Sequence, residues 1–185
     1  MLDILETEKS FILKHIKEGD TVADFTMGNG HDTLFFSKTV GESGRVYAFD
    51  IQPDALVSTK KRLVENNAFE NYTLICDSHH NAKKYIDGKI KAGMFNLGYL
   101  PGGDHNICTQ YTTTIEAIDK ALGLINDTGF ISVTIYYGKN SGTTEKENVL
   151  NYIKGLDHKL YTVTVHDFFN RPNNPPLTVV ITKNK

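Results

Sequence analysis

The chain has 185 residues, 39% hydrophobic and 23% charged, with a formal net charge of −2 and two cysteines. Length and composition fit one soluble globular domain over 1–185, with no apolar run long enough to cross a bilayer and no basic, apolar leader at Met1–Glu8, so a cytoplasmic protein is expected. A slightly acidic chain argues against a long duplex groove, because proteins that hold many phosphates are usually basic overall. Cys76 and Cys108 stand alone in their segments and offer neither a disulfide framework nor a Cys-x-x-Cys metal site.

Residues 1–19 begin with Ile4, Leu5, Glu8, Phe11, Ile12, His15 and Ile16 on one side at helical spacing, which predicts an amphipathic helix ahead of a core over 20–185. The pattern then alternates: strand 21–25, helix about 30–40, strand 45–50, helix about 53–67 opened by Pro53, strand 72–76 and a short helix about 79–86. Strand 92–96, helix about 109–124, strand 129–136 and helix about 143–155 follow. Such alternation predicts a doubly wound parallel sheet covered on both faces. The last two strands, Lys159–Val165 and Leu177–Thr182, have no helix between them, so the final strand must run antiparallel. The basic clusters Lys60-Lys61-Arg62 and Lys83-Lys84 read as solvated helix faces.

The most informative stretch is Val22-Ala-Asp-Phe-Thr-Met-Gly-Asn-Gly-His-Asp-Thr33, a strand running into a glycine-bearing turn and then a helix. Turns of this kind bring backbone close to a ligand. The second strand ends in Asp50, at the spacing where a carboxylate can bind ribose hydroxyls, and Gln52 lies near the nucleoside edge. The turn is no P-loop, because no Gly-Lys-Ser/Thr follows. Thr33 replaces the third glycine that a dinucleotide fingerprint needs against a pyrophosphate. On residues alone S-adenosylmethionine is the favoured ligand of Met27, Gly28, Asn29, Gly30 and Asp32, with a nicotinamide or flavin nucleotide, or no ligand at all, as alternatives. Asp50 could instead cap the helix that Pro53 opens.

The other unusual loops also follow strand ends: Asp77-Ser78-His79, Asn96-Leu97-Gly98-Tyr99, Tyr136-Tyr137-Gly138-Lys139 and Phe168 to Pro176. Ligands of doubly wound sheets bind at the carboxyl ends of the strands. Aromatic rings beside Lys139 and beside Arg171 and Asn173 suit a splayed nucleotide. A proline-stiffened hairpin or a homodimer contact is the alternative. His79 and His80 lack neighbouring ligands, so no metal is expected.

Over essentially its whole length the chain resembles class I S-adenosylmethionine-dependent methyltransferases. The resemblance implies a Rossmann-like α/β fold, a seven-stranded sheet of order 3-2-1-4-5-7-6 with strand 7 antiparallel. More narrowly, Asp24 to Thr33, Phe95-Asn-Leu-Gly-Tyr-Leu-Pro-Gly-Gly103 and Asn173-Asn-Pro-Pro176 resemble the YtqB-like ("putative rRNA methylase") family, whose members are assigned as MnmM-type tRNA wobble-uridine methyltransferases. That resemblance implies S-adenosylmethionine as cofactor and the anticodon region of tRNA as partner. It implies 5-aminomethyl-(2-thio)uridine as acceptor and the 5-methylaminomethyl nucleoside as product. By the same resemblance Asp77, with Ser78 and His79, would hold the adenine, although Asp-Ser-His also makes a helix-capping segment. Asn96-Leu97-Gly98-Tyr99 resembles the Asn-Pro-Pro-Tyr motif of amino-directed methyltransferases with both prolines replaced. In that motif the asparagine oxygen and the next carbonyl accept N–H bonds from the target amine while the tyrosine stacks on the base, which implies catalytic roles for Asn96, Leu97 and Tyr99. Methylation of rRNA or of a small molecule, an NAD-linked oxidoreductase and a non-catalytic S-adenosylmethionine-binding module are the other readings.

Overall fold

The computed structural model describes residues 4–98, 102, 108–137, 142–172 and 174–184. The described elements run α1 (Ile4–His15), β1 (Thr21–Asp24), α2 (His31–Val40), β2 (Arg45–Asp50), α3 (Pro53–Glu65), β3 (Tyr72–Cys76), a 3-10 helix (His79–Lys84), β4 (Ile90–Leu97), α4 (Tyr111–Leu124), β5 (Ile125–Ile135), α5 (Gly142–Lys154), β6 (Tyr161–His166) and β7 (Leu177–Lys183). The strands form one seven-stranded sheet of order β3-β2-β1-β4-β5-β7-β6. Only β7 runs against its neighbours, pairing antiparallel with both β5 and β6. The order and the antiparallel last strand are those expected from the sequence.

The short helix after β3 is of the 3-10 type. One detail differs from the sequence expectation: β5 begins at Ile125, directly after α4. Ile125 pairs with Ile90, whereas the next recorded pair is Phe130 with Ala92, so the turn-like Asn126-Asp127-Thr128-Gly129 bulges out between them.

Alternation along the strands sorts side chains onto two covered faces. Ala23, Phe25, Phe49, Phe95, Leu97, Val133, Ile135, Val179 and Ile181 pack under α4 and α5 through Ala117, Ile118, Ala121, Val149 and Ile153. On the opposite face Val22, Val46, Ala92, Met94, Phe130 and Val180 pack under Ile12 and Ile16 of α1 and Phe36 and Val40 of α2. That second face turns polar toward the carboxyl ends of the strands. Asp24, Ser132, Thr134 and Thr178 are buried there, and Asn96, Thr134, Thr178 and His166 pair in register across β4, β5, β7 and β6. A buried polar row amid aliphatic strands requires hydrogen-bond partners, and α1 and α2 provide them.

Candidate active site

The turn after β1 is built by backbone bonds that continue the sheet past its last strand residue. Phe25 N–H donates to Met94 O at 2.9 Å and Met27 N–H to Phe49 O at 2.9 Å, so the chain stays pinned to β4 and β2 while it turns. Gly28 and Gly30 then take φ of 49° and 78°, a region that L side chains avoid. A Cβ on Gly30 would also lie 2.8 Å from Thr59 Oγ1 and 2.9 Å from Thr59 Cα. Helix α3 grips the turn from behind, Thr59 Oγ1 donating to Gly28 O (3.0 Å) and Arg62 Nε to Asn29 O (2.6 Å). Gly30 occupies the N-cap of α2 without a side-chain cap. The first amides of α2 therefore open at this turn.

Asp50 joins two loops. Its carboxylate accepts Gly28 N–H at 3.0 Å and Gln52 N–H at 2.9 Å. The N-cap of α3 is Gln52 rather than Asp50, with Pro53 at the first helical turn. Burial pushes the Asp50 carboxyl above its ordinary range, against the pull of the backbone N–H groups it accepts. Asp77 is engaged within its own segment, accepting Ser78 N–H (2.7 Å), Asn81 Nδ2 (3.0 Å) and Tyr85 OH (2.8 Å). The Asn81 and Tyr85 bonds hold its carboxyl below the usual range. These bonds are those of a segment-closing residue. Next to it His79 is largely buried, with Nδ1 at 3.1 Å from Phe25 O and Nε2 without a partner. Nδ1 therefore carries the proton, burial pushes the ring's pKa down, and neutral imidazole presents Nε2 as an acceptor. Its ring meets Phe95 edge-on at 5.7 Å beside the stacked Phe25 and Phe95 rings, whose centroids are 4.4 Å apart.

Asn96 is held at both ends. Its backbone N–H donates to Thr26 Oγ1 (2.7 Å) and its Nδ2 to Asp32 Oδ2 (2.7 Å), while Oδ1 is buried with no partner. Asp32 also takes an ion pair from Lys9 of α1 at 3.2 Å. The Asp32 contact fixes which way the amide faces, and the oxygen is the end left over. The Leu97 carbonyl, in contrast, accepts Tyr136 N–H at 3.2 Å and so extends the β4–β5 ladder. Beyond it, Gly98 and Thr109 bond reciprocally: Thr109 N–H donates to Gly98 O (2.9 Å), and Gly98 N–H to Thr109 Oγ1 (3.0 Å). Glu145 of α5 accepts that hydroxyl at 2.7 Å, tying the loop's base to the other layer.

Three carboxyls that the motif reading passed over or underused converge beneath the turn. Asp24 is fully buried, accepting the Thr33 hydroxyl at 2.6 Å and Thr26 N–H at 3.2 Å, and burial raises its pKa to about 7. Glu8 of α1 accepts the hydroxyls of Ser132 and Thr134, and burial raises it to about 7 as well. Asp32 lies between them and raises both by charge repulsion. In the sequence the only signal for Glu8 is a carboxylate on an otherwise mostly apolar stripe. Thr134 and Ser132 show as hydroxyls at a two-residue spacing inside a buried strand.

The loops expected to hold substrate are described in part. Tyr136 and Tyr137 follow β5, with Lys146 Nζ of α5 at 3.3 Å from the Tyr137 ring centre. Arg171 stacks on Phe168 at 3.8 Å, and the neighbouring Phe169 is fully exposed. Tyr99, Lys139 and Asn173 lie outside the described residues. Among the described residues no His, Cys, Asp and Glu group forms a metal cluster, and no helix is long and apolar enough to cross a membrane.

Residues 46–182 match the family model described as "Putative rRNA methylase". A "putative rRNA-methylase" of Clostridium thermocellum superposes with a TM-score of 0.96 at 49% identity, covering 99% of this chain and 98% of that one. A "putative methyltransferase" of Streptococcus mutans, solved in complex with SAH, gives a TM-score of 0.90 at 37% identity with 99% of each chain covered. The chloroplastic tRNA (mnm(5)s(2)U34)-methyltransferase of Arabidopsis thaliana is 37% identical over 172 residues, 88% of this chain. The chain spans 63% of the length of that plant relative. With the family model covering most of the chain and the whole sheet superposing on its solved members, the chain belongs to the "putative rRNA methylase" family.

Proposed function

We propose that the protein is an S-adenosylmethionine-dependent methyltransferase that acts on the primary amine of 5-aminomethyl-(2-thio)uridine at the tRNA wobble position, giving the 5-methylaminomethyl nucleoside. The single observation that carries the amine is Asn96: a buried amide oxygen without a donor, at a strand carboxyl end, with Asp32 fixing the amide's orientation. A buried acceptor left unpaired costs about 1–3 kcal/mol, which an incoming N–H group would recover. The names of the plant relative and of the SAH complex support the acceptor and the cofactor.

The donor set fits the cofactor. Among the described residues neither Asp24 nor Asp50 is in a salt bridge, so both complement a ligand of net positive charge. Asp50 would accept the ribose hydroxyls, the backbone of Met27 to Gly30 would lie against the amino-acid end, and Gln52, Asp77, Ser78 and His79 would line the adenine. When bound, S-adenosylmethionine supplies a methyl group already activated by its sulfonium. What remains for the chain is to aim the amine and keep it unprotonated. Asn96 Oδ1 aims it by accepting one N–H. Exposed Phe169 and Tyr136, with Arg171, would stack on and pair with a splayed nucleotide.

Mass spectrometry of nucleosides tests the reading on tRNA bearing the 5-aminomethyl group. Wild-type protein with S-adenosylmethionine should convert it to 5-methylaminomethyl. Asn96→Ala should bind the cofactor as before yet turn over on the order of a hundredfold more slowly in a single-turnover experiment. A methyl group found only on rRNA would move the acceptor to that RNA. A wild-type rate in Asn96→Ala would remove the amine argument.

A further inference from the structure

Helix α1 contributes two consecutive charged residues to the site, and they have different neighbours. Lys9 pairs with Asp32 at 3.2 Å. Glu8, only 4% exposed, turns to the sheet, where Ser132 donates to one of its oxygens and Thr134 to the other at 3.1 Å. Thr134 Oγ1 is in turn 2.8 Å from Thr178 Oγ1. The charged groups facing Glu8 are Asp32 from α2 and Lys9 from its own helix, while β5 and β7 present hydroxyls. Docking a helix does not need this arrangement, since a buried carboxyl without a bonded cation is costly where an amide would make the same bonds.

The register shows what the carboxyl adjoins. Thr134 pairs with Asn96 across β4 and β5, and both side chains lie on the α1/α2 face. In-register neighbours in a sheet sit about 5 Å apart, within reach of one small group held between them. The geometry points to Glu8, acting through the Thr134 hydroxyl, as the group that takes the proton from the ammonium form of the acceptor amine. This role rests on the amine reading above. One N–H bond of the ammonium breaks and its proton goes to Thr134 Oγ1, as Thr134 passes its own proton to Glu8 Oε2. The amine is left neutral with its lone pair free, and Glu8 becomes a carboxylic acid that later gives its proton to solvent. An ammonium and a carboxylate both become neutral, a favourable change where water is excluded. Burial supports the role, since a carboxyl raised to about 7 is ionised just above neutrality yet holds a proton better than an exposed glutamate. Glu8 is thus a positioning residue for the proton, distinct from Asn96, which aims the nitrogen.

Glu8→Gln keeps the shape and can hydrogen-bond Ser132 and Thr134, so it should fold. With an anticodon stem–loop RNA bearing 5-aminomethyl-2-thiouridine, its kcat should fall about a hundredfold while KM for RNA and cofactor stays put. The step in the wild-type pH profile near neutrality should vanish in this variant. Thr134→Val should show the same loss and Thr134→Ser should restore the rate. A readout independent of turnover is infrared difference spectroscopy at about pH 8 with S-adenosylhomocysteine and the same RNA. Wild type should gain a protonated-carboxyl band on RNA binding that Glu8→Gln lacks. Wild-type kinetics in Glu8→Gln, or the same band in that variant, overturns the proton role alone. Wild-type protein that leaves this RNA unmethylated overturns the acceptor reading, and the proton role with it.

Discussion

Asp24→Asn should stabilise the folded chain above neutral pH and leave it almost unchanged in acid. The carboxyl of Asp24 is fully buried, takes hydrogen bonds from Thr33 and Thr26, and has Asp32 and Asp50 as its charged neighbours. Burial moves its pKa from 3.8 to about 7. Between those values the folded chain keeps a proton that the unfolded chain gives up. The contribution to stability is therefore fully present below the unfolded pKa, declines as pH rises toward 7, and is gone above it. A shift of about three units corresponds to about 4 kcal/mol, a large part of the 5–15 kcal/mol typical of a domain. Asparagine has the same shape and keeps both contacts, its oxygen accepting Thr26 N–H and its amide donating to Thr33, whose hydroxyl turns round. Urea unfolding followed by circular dichroism at about pH 3.5, below the unfolded pKa, and at about pH 8.5 reads the difference. The two proteins should agree in acid and diverge by several kcal/mol in base, with Asp24→Asn the more stable. Glu8 titrates in the same window in both proteins, so it cancels in the comparison. Parallel stability curves would show that the buried carboxylate has a compensating partner and would refute the reasoning.

Asp50→Ala should weaken S-adenosylmethionine binding by roughly 1.5–3 kcal/mol in titration calorimetry, about ten- to a hundredfold in Kd, and unchanged affinity in a folded variant would end the ribose assignment. Phe169→Ala should leave the melting temperature alone, because the ring is fully exposed, and should lower RNA affinity by roughly 1–3 kcal/mol in fluorescence anisotropy. Wild-type RNA binding by that variant would take the β6–β7 loop out of the interface.

The parts of the fold that are legible in the sequence are those set by local chemistry. Period-two strands and helical stripes give the alternation, and Gly28 and Gly30 announce their turn because a positive φ favours glycine. The start of β5 is hidden, since Asn126-Asp127-Thr128-Gly129 has the composition of a loop and the structure uses it as a bulge between paired residues. Asp77 is legible as a residue that follows β3 and closes a local segment, but its particular partners Asn81 and Tyr85 have no signal in the sequence. Asp32 reads as a turn residue, yet its observed partners come from Lys9 and Asn96, far away in the chain on either side. The Glu8 network is the least legible. Its bonds span 124 and 126 residues, and no local pattern encodes which hydroxyl a lone glutamate will find.

The place of β7 between β5 and β6 bears on how the protein is made. Thr178, which closes the hydroxyl row beside Thr134, is on β7 and leaves the ribosome long after Glu8 on α1. A growing chain therefore holds these two pieces of the site apart until the β6–β7 hairpin slots into the sheet. Long-range closure of this kind slows folding and leaves β5 with an open edge in the meantime. It also couples competence to completeness: a chain interrupted before Leu177 would have the glycine turn but an unfinished floor beneath Asn96.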